Sequence, residues 1–151
     1  MIPLYHDFTD ATVLIFGGGS VGARKAGRFA AEADVVVVSP GFDDRFADAA
    51  LQGVKQIRAA PAVADIPAWF DRVDPALAVA ATDDSELNAA VAAAAADRDI
   101  LINRTDRAGE RPVGSVVVPA TVTDGSVSVA ISTGGQSPAL ARYLREQIDS
   151  E

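Results

Sequence analysis

The residues best suited to chemistry lie in one short stretch near the amino end of the chain. Gly17, Gly19 and Gly22 have the spacing G-x-G-x-x-G. In a dinucleotide site the first glycine permits a tight turn, the second lets a pyrophosphate approach the backbone, and the third allows close packing of a helix on a strand. An apolar run precedes these glycines and a helical pattern follows them. This context favours dinucleotide binding over the alternative, a purely structural glycine turn.

The helix that begins after these glycines supplies the second half of such a site. Ser20 and Val21 occupy its first turn. Backbone N–H groups at a helix start lack partners within the helix, and the helix dipole favours negative charge there. We therefore expect these two residues to face the phosphates.

The end of the second predicted strand is where a nucleotide ribose is usually bound. Ser39, Gly41 and Phe42 lie there, and the hydroxyl of Ser39 can bond a ribose. Asp43 is an alternative acceptor. Arg45 leaves open a preference for NADP, although a solvated helix residue is the favoured interpretation.

Two acids follow later strands on the same predicted edge of the sheet. Asp83 follows Thr82 after the fourth strand, and Asp106 follows Asn103 after the fifth. A carboxylate at such a strand end could take a proton during transfer of a hydride to a nicotinamide. Asp83 is more simply a helix cap, whereas Asp106 as a base and Asp106 as a turn residue remain equally supported.

Strands and helices alternate along the first two thirds of the chain. This order predicts an α/β fold, a Rossmann-like doubly wound parallel sheet. The predicted strands are 12–16, 34–39, 54–58, 77–81 and 100–103, and the predicted helices are 20–33 and 42–52. Residues 82–86 form the N-terminal signature of a third helix, which is predicted to run to about 98. Residues 59–74 are expected to form a loop with one helical turn.

The last third of the chain has a different pattern. Residues 107–114 read as a polar loop, and strands are predicted at 115–122 and 127–132 around Asp124-Gly125, a strong hairpin signal. Ser137 can cap a helix over 139–148. A hairpin and one helix are too small to bury a core. We therefore expect a domain over 1–113 and a dimerisation segment over 114–151 that packs on a partner chain or on a missing segment.

Composition excludes several kinds of protein. The formal charge of −8 argues against a nucleic-acid partner, and the absence of cysteine excludes disulfides and thiolate chemistry. With a single histidine, no metal-binding cluster is apparent. No apolar run could span a membrane, and the amino end lacks a secretory signal, which predicts a cytoplasmic protein. Abundant Asp with only two lysines, Lys25 and Lys55, resembles a halophilic surface.

Several stretches together resemble the precorrin-2 dehydrogenase family, the dehydrogenase and ferrochelatase part of siroheme synthase. They are IPLYHDFTDATVLIFGGGSVGARKA, AVAATDDSELNAAV, INRTD, VVVPATV and AISTGGQSPALARYLRE. The last is the most specific, and the resemblance covers nearly the whole chain. It implies NAD-dependent oxidation of precorrin-2 to sirohydrochlorin.

The resemblance also implies roles for individual residues. The critical aspartate of the family corresponds to Asp106. Its NAD contacts correspond to Ser20 and Val21 and to Gly41 and Phe42. Candidates for binding the tetrapyrrole, which carries eight carboxylates, are drawn from two motifs. They are Asn103, Arg104, Thr133, Gly134 and Ser137, with Arg107, Arg111 and Arg142 as further anion partners.

Three departures from the family bear on function. The chain stops where relatives continue into a further helical domain, the loop 107–114 is a few residues longer, and no metal cluster is evident. Dehydrogenation is therefore the favoured expectation, with iron insertion as the alternative. A non-catalytic NAD-sensing module is the alternative from another class, but it would have no use for the STGGQSP motif or Asp106.

Overall fold

The structure, a computed structural model, describes residues 1–106, 111–134 and 136–151. Among these residues, no helix is both long and apolar enough to cross a membrane. The chain divides into two compact units. The larger unit is Tyr5–Val116, and the smaller unit combines Met1–Leu4 with Val117–Glu151.

A five-stranded parallel sheet forms the centre of the larger unit. Its strands lie in the order β3-β2-β1-β4-β5. The strands are β1 (Thr12–Phe16), β2 (Asp34–Ser39), β3 (Lys55–Arg58), β4 (Leu77–Ala80) and β5 (Leu101–Arg104). The order changes direction between β1 and β4, and in open parallel sheets ligands bind beyond the carboxyl ends of the strands at such a point.

The central strands are apolar because both of their faces are covered. Leu14 and Phe16 of β1 face the same side of the sheet and are fully buried. On that side they pack with Ile66 and Phe70 of one helix and Val91 of another. Burying each large side chain contributes about 1.5–3 kcal/mol, so this layer fixes the positions of the strand ends.

Three α-helices connect the strands of the larger unit. They are α1 (Ser20–Ala30), α2 (Ile66–Val73) and α3 (Ser85–Asp97). A proline in the first turn of α2 suits a helix start, and Asp74, in the left-handed conformation at φ 50°, ends that helix. Asp84 caps α3, since its carboxylate accepts from the N–H groups of Glu86 and Leu87.

The smaller unit contains an antiparallel hairpin and one helix. The strands are β6 (Ala120–Asp124) and β7 (Val127–Ile131), and the helix is α4 (Pro138–Asp149). Gly125 occupies the turn with φ 59°, a conformation that suits glycine. The predicted hairpin is present, and the last helix begins at Pro138 directly after its predicted cap, Ser137.

Three expectations about local structure are wrong. The helix predicted over 42–52 is two short 3-10 helices, Asp44–Ala47 and Ala49–Leu51, because Asp48 between them is extended at ψ 150°. Residues 66–73 form a full helix rather than one turn. The strand predicted from 115 begins at 120, because Ser115 bridges to Ile102 in parallel and extends the larger sheet instead.

Candidate functional site

The glycine turn after β1 is packed so closely that two positions exclude any side chain. Gly17 has φ 119°, and a Cβ there would collide with the carbonyl of Ala81. A Cβ on Gly22 would collide with the carbonyl of Gly17, so the helix lies directly against the turn. Gly19 has open space where its Cβ would be. The three positions thus have the geometry that a dinucleotide turn requires: a tight turn, an open approach and close helix packing.

Gly18 is a third constrained position, which the motif did not single out. A Cβ there would collide with the carbonyl of Gly41 and press on the side chain of Ser39. The carbonyl of Gly18 accepts from the N–H of Asp43 at 2.7 Å. Gly18 therefore joins the turn after β1 to the segment after β2. The run of three consecutive glycines was the available signal.

A cleft of about 660 Å³ lies over the glycine turn. Its lining comes from the turns after β1, β2 and β4 and from the start of α1. The sequence-predicted residues among the lining are Gly17, Gly19, Ser20, Val21, Ser39, Gly41, Thr82 and Asp83. The α1 N-terminus has no side-chain cap, so its amides are available to an anion.

The residue after Gly41 that lines the cleft is Asp43 and not Phe42. Phe42 does not line the cleft; its ring packs edge-on against Phe46, with the guanidinium of Arg58 5.6 Å from its centre. Asp43 does line the cleft, while its carboxylate accepts from the N–H of Arg45 at 3.0 Å. A negative charge therefore stands at the side of the cleft formed by the end of β2.

The turn after β4 is fixed by a side chain that the sequence analysis missed. Asn88 of α3 is fully buried. Its Oδ1 accepts from the N–H of Thr82 at 3.1 Å and from the Thr82 hydroxyl at 2.7 Å, and its Nδ2 donates to the Thr82 carbonyl at 2.9 Å. The signal was a lone asparagine on the buried face of an alanine-rich helix. Asp83, the expected cap, is exposed at the cleft, and Asp84 is the cap.

Asp106 lies just beyond β5 and is held by Arg104. The guanidinium bonds both carboxylate oxygens, from Nε at 2.7 Å and from Nη2 at 3.2 Å. Arg104 is the main cause that lowers the pKa of Asp106, and the amide of Asn88 lowers it further. Between them Thr105 donates from its N–H and its hydroxyl to the carbonyl of Ala80, at 3.0 and 3.1 Å. Asp106 is therefore an ionised carboxylate on a loop anchored to the end of β4.

The side-chain amide of Asn103 has a hydrogen-bond partner for its nitrogen, but its oxygen has none among the described residues. Its Nδ2 donates to the carbonyl of Val116 at 2.9 Å, whereas its buried Oδ1 has no partner among the described residues. The residue is only 8% exposed. Its Nδ2 helps to hold the short bridge of Ser115 along β5.

The remaining predicted site residues belong to the smaller unit. The Thr133 hydroxyl donates to the carbonyl of Ser137 at 3.0 Å and accepts from its N–H at 3.1 Å. The Ser137 hydroxyl accepts from the N–H of Leu140 and so caps α4. Gly134 has φ 68°. These hydroxyls therefore shape the turn before α4. Arg107 and the first half of the loop, residues 107–110, lie outside the described residues, whereas Arg111 is among them.

The last two expectations concern Arg142 and metal binding. Arg142 forms an i,i+4 ion pair with Glu146 at 3.1 Å on the exposed face of α4. Within the described ranges, no group of three or more His, Cys, Asp or Glu side chains could hold a metal ion.

Comparison with known families agrees with this geometry. A family model described as "Putative NAD(P)-binding" matches residues 4–120. The chain belongs to this NAD(P)-binding family. A second model, described as the central part of a sirohaem biosynthesis protein, matches residues 124–151. The boundary between the two matches falls within the hairpin.

The curated relatives of this NAD(P)-binding chain are named precorrin-2 dehydrogenase or siroheme synthase. It is 37% identical over 150 residues to precorrin-2 dehydrogenase of Methanosarcina barkeri, covering 98% of this chain and 65% of that protein. Siroheme synthase 2 of Yersinia pestis is 38% identical over 154 residues, covering 99% of this chain and 30% of the relative. The chain thus spans less than two thirds of these curated relatives.

A solved structure shows the same fold. The structure described as SirC, precorrin-2 dehydrogenase, superposes with a TM-score of 0.74 at 28% identity, covering 99% of this chain and 70% of that one. The Rossmann-like sheet followed by a hairpin and helix is therefore confirmed.

Proposed function

We propose that this chain is an NAD-dependent precorrin-2 dehydrogenase that forms sirohydrochlorin in siroheme synthesis. The relatives named for this activity and for siroheme synthesis align with 98–99% of the chain. The observation that carries the proposal is the placement of Asp106. This ionised carboxylate follows β5 and is linked through Thr105 to the end of β4, whose next turn lines the glycine cleft.

The cleft fits a dinucleotide by its shape and its donors. The position of the absent Cβ of Gly19 is open, and the uncapped N-terminus of α1 presents the amides of Ser20 and Val21. These groups would hold the pyrophosphate. Ser39, Gly41 and the turn at Thr82 and Asp83 would hold the two nucleoside halves.

The cleft favours NAD over NADP. Asp43 places a carboxylate at the cleft, and it would repel a 2′-phosphate. The two nearby guanidinium groups already have other contacts: Arg45 with Asp43 at 3.8 Å, and Arg58 with the carbonyl of Pro40 at 3.1 Å. The positive charges of this segment are therefore engaged within the protein.

The oxidation removes one hydride and one proton from the macrocycle. NAD⁺, when bound, accepts the hydride. Arg104 lowers the pKa of Asp106 and so keeps it ionised, and we assign the proton to one of its carboxylate oxygens. Arg104 orients that carboxylate and is itself only 11% exposed at its side chain. We therefore assign Arg104 to Asp106 rather than to a substrate carboxylate, and assign Asn103 to the substrate side through its unpaired Oδ1.

We further propose that the protein works as a homodimer in the cytoplasm of a halophile. The outer face of α4 exposes an apolar stripe at helical spacing, which consists of Leu140, Tyr143, Leu144 and Ile148. Such a face on a chain of net charge −8 favours burial against a second copy. The scarcity of lysine among abundant Asp supports the halophilic origin.

The test is spectroscopic. Purified protein is mixed with NAD⁺ and precorrin-2, and the sirohydrochlorin absorption is followed together with NADH. Asp106→Asn is expected to lower the rate by about 10²–10⁴-fold while NAD⁺ affinity stays near wild type. No sirohydrochlorin from the wild type, with NAD⁺ still bound, would instead identify a sensing module. Metal insertion into sirohydrochlorin without NAD⁺ would add a chelatase activity.

A further inference from the structure

The cleft over the glycine turn has side chains of one charge only. Among the described residues that line it, three are acids, namely Asp43, Asp83 and Asp84, and none is Lys, Arg or His. The donors available to a pyrophosphate there are the uncapped backbone amides at the start of α1. The side chains of the cleft therefore add negative charge beside a ligand whose phosphates are themselves anionic.

Two of these three carboxylates already have partners in their own segments. The carboxylate of Asp43 accepts from the N–H of Arg45 at 3.0 Å and lies 3.8 Å from its guanidinium. The carboxylate of Asp84 accepts from the N–H groups of Glu86 and Leu87, at 3.0 and 3.2 Å, as the cap of α3. Both acids therefore have structural roles at the edge of the cleft.

Asp83 is the acid that remains for a ligand. It is exposed, and its carboxylate has neither a hydrogen bond nor an ion pair to any residue that the structure describes. Its two neighbours are fixed: Thr82 makes three hydrogen bonds with the buried Asn88, and the N–H of Asp84 donates to the Thr82 hydroxyl at 3.2 Å. Because the backbone is held on both sides, Asp83 is placed at the cleft before a ligand binds, which lowers the cost of using it in binding.

The fold assigns Asp43 and Asp83 to different halves of a dinucleotide. In such sheets the dinucleotide lies across the point where the strand order reverses, with the adenosine ribose beside the end of the second strand. That reversal lies between β1 and β4. Asp43 follows β2 and so belongs to the adenosine half. Asp83 follows β4, on the other side of the reversal, where the nicotinamide half is expected.

We infer that Asp83 is a specificity-determining residue that makes the cleft bind NAD⁺ more tightly than NADH. The nicotinamide ring is a cation in NAD⁺ and neutral in NADH, whereas the rest of the two molecules carries the same charge. A carboxylate beside the ring attracts the cation, and this attraction is lost when the ring is neutral. The inference rests on the proposed dehydrogenase function and deepens it, because it favours binding of the oxidised cofactor and release of the reduced one.

The test is the ratio of two dissociation constants, measured on the full chain. NADH is titrated by its own fluorescence, and NAD⁺ by its displacement of NADH. The wild type is expected to bind NAD⁺ about fivefold more tightly, as for one exposed pair of opposite charges. Asp83→Asn, an isosteric change, should bring the two affinities to within about twofold. Asp83→Glu keeps the charge and should keep most of the preference.

Two further variants separate the position of the charge from its mere presence. Glu86→Gln removes one negative charge from an exposed residue of the same turn that does not line the cleft, so it should leave the ratio in place. Asp43→Asn should change the affinities for NAD⁺ and NADH equally, since both have the same adenosine half. Equal affinities in the wild type overturn the inference. It is also overturned by a wild-type ratio in Asp83→Asn, or by a ratio that Glu86→Gln lowers as much as Asp83→Asn does.

These titrations need no precorrin-2, so they separate the two proposals. A preference for NAD⁺ that depends on Asp83, with no oxidation of precorrin-2, overturns the proposed substrate and supports the role of Asp83. Oxidation of precorrin-2 by a protein that binds NAD⁺ and NADH equally overturns the role of Asp83 and leaves the proposed function standing.

Discussion

Arg104 holds both carboxylate oxygens of Asp106, with Nε 2.7 Å from Oδ1 and Nη2 3.2 Å from Oδ2. The two residues are two positions apart in the chain, at the end of β5. A two-point contact fixes the plane of the carboxylate and also stabilises its negative charge. The ion pair therefore orients the proposed base before any ligand binds.

If Asp106 is the base, this ion pair is expected to set the acid side of the pH profile. A base acts only when deprotonated, and Arg104 lowers the pKa of Asp106, so the carboxylate stays ionised to a lower pH. Arg104→Gln should raise that pKa toward its ordinary value of 3.8 and move the acid limb of kcat/KM to higher pH. The acid limb of Arg104→Lys should lie between those of the wild type and Arg104→Gln, because lysine keeps the positive charge but cannot make the two-point contact. If the acid limb of kcat/KM stays at its wild-type pH in Arg104→Gln, Asp106 is not the base whose ionisation controls the rate.

Two glycines of α1 give a matched pair for the packing of the nucleotide turn. Gly22→Ala would drive a Cβ into the carbonyl of Gly17, whereas Gly27→Ala meets only a methyl of Leu51 at 3.5 Å. The first should destabilise the protein by about 1–3 kcal/mol and weaken NAD⁺ binding. The second should stabilise it by about 0.5–1 kcal/mol, since alanine suits a helix interior better than glycine. Urea unfolding and NAD⁺ titration measure both effects; equal effects from the two variants would contradict the packing role of Gly22.

Asp43 provides a test of cofactor choice. Asp43→Ser removes the carboxylate that lines the cleft, so NADP⁺ affinity is expected to rise by about tenfold while NAD⁺ affinity changes little. Asp44→Ser is the control, because this neighbouring acid is exposed and does not line the cleft. Dissociation constants for the two cofactors can be measured by fluorescence titration. A wild-type preference for NADP⁺ would refute the argument directly.

The sequence predicted the parallel sheet because its strands and the turn after β1 are set by local sequence patterns. The β-branched run of β2 and the glycines after β1 depend on local rules, and the structure follows them. Side chains that act across the fold were harder to find. Asn88 pairs with a residue six positions earlier, and its burial depends on α3 packing against the sheet. The 3-10 helices at 44–51 were missed because the extended Asp48 interrupts an otherwise helical pattern.

The apolar stripe of α4 provides a test of the proposed dimer. Leu144 is 38% exposed, midway along the stripe. Leu144→Glu should convert the proposed dimer to a monomer in sedimentation velocity, because a charge cannot be buried there unpaired. Glu146→Gln, on the opposite side of the helix, should leave the oligomeric state unchanged. A wild-type protein that sediments as a monomer at micromolar concentration would rule out the dimer.

Lys25 of α1 predicts an unusual dependence of stability on pH. Burial, together with repulsion from Arg24 and Arg28, lowers the pKa of Lys25 from 10.5 to about 8. Below pH 8 the folded state holds a charge that its surroundings disfavour, and the full cost is present. Between pH 8 and 10.5 the folded lysine loses its proton while the unfolded one keeps it, so the cost shrinks with rising pH. Lys25→Met should therefore raise Tm by about 2–4 °C at pH 7, and the gain should vanish near pH 10.5. Lys55→Met removes the same charge from an exposed position on β3 and is the control for the loss of a lysine charge as such. A gain for Lys25→Met that is equally large at pH 7 and at pH 10.5 would show that packing, and not the buried charge, is responsible.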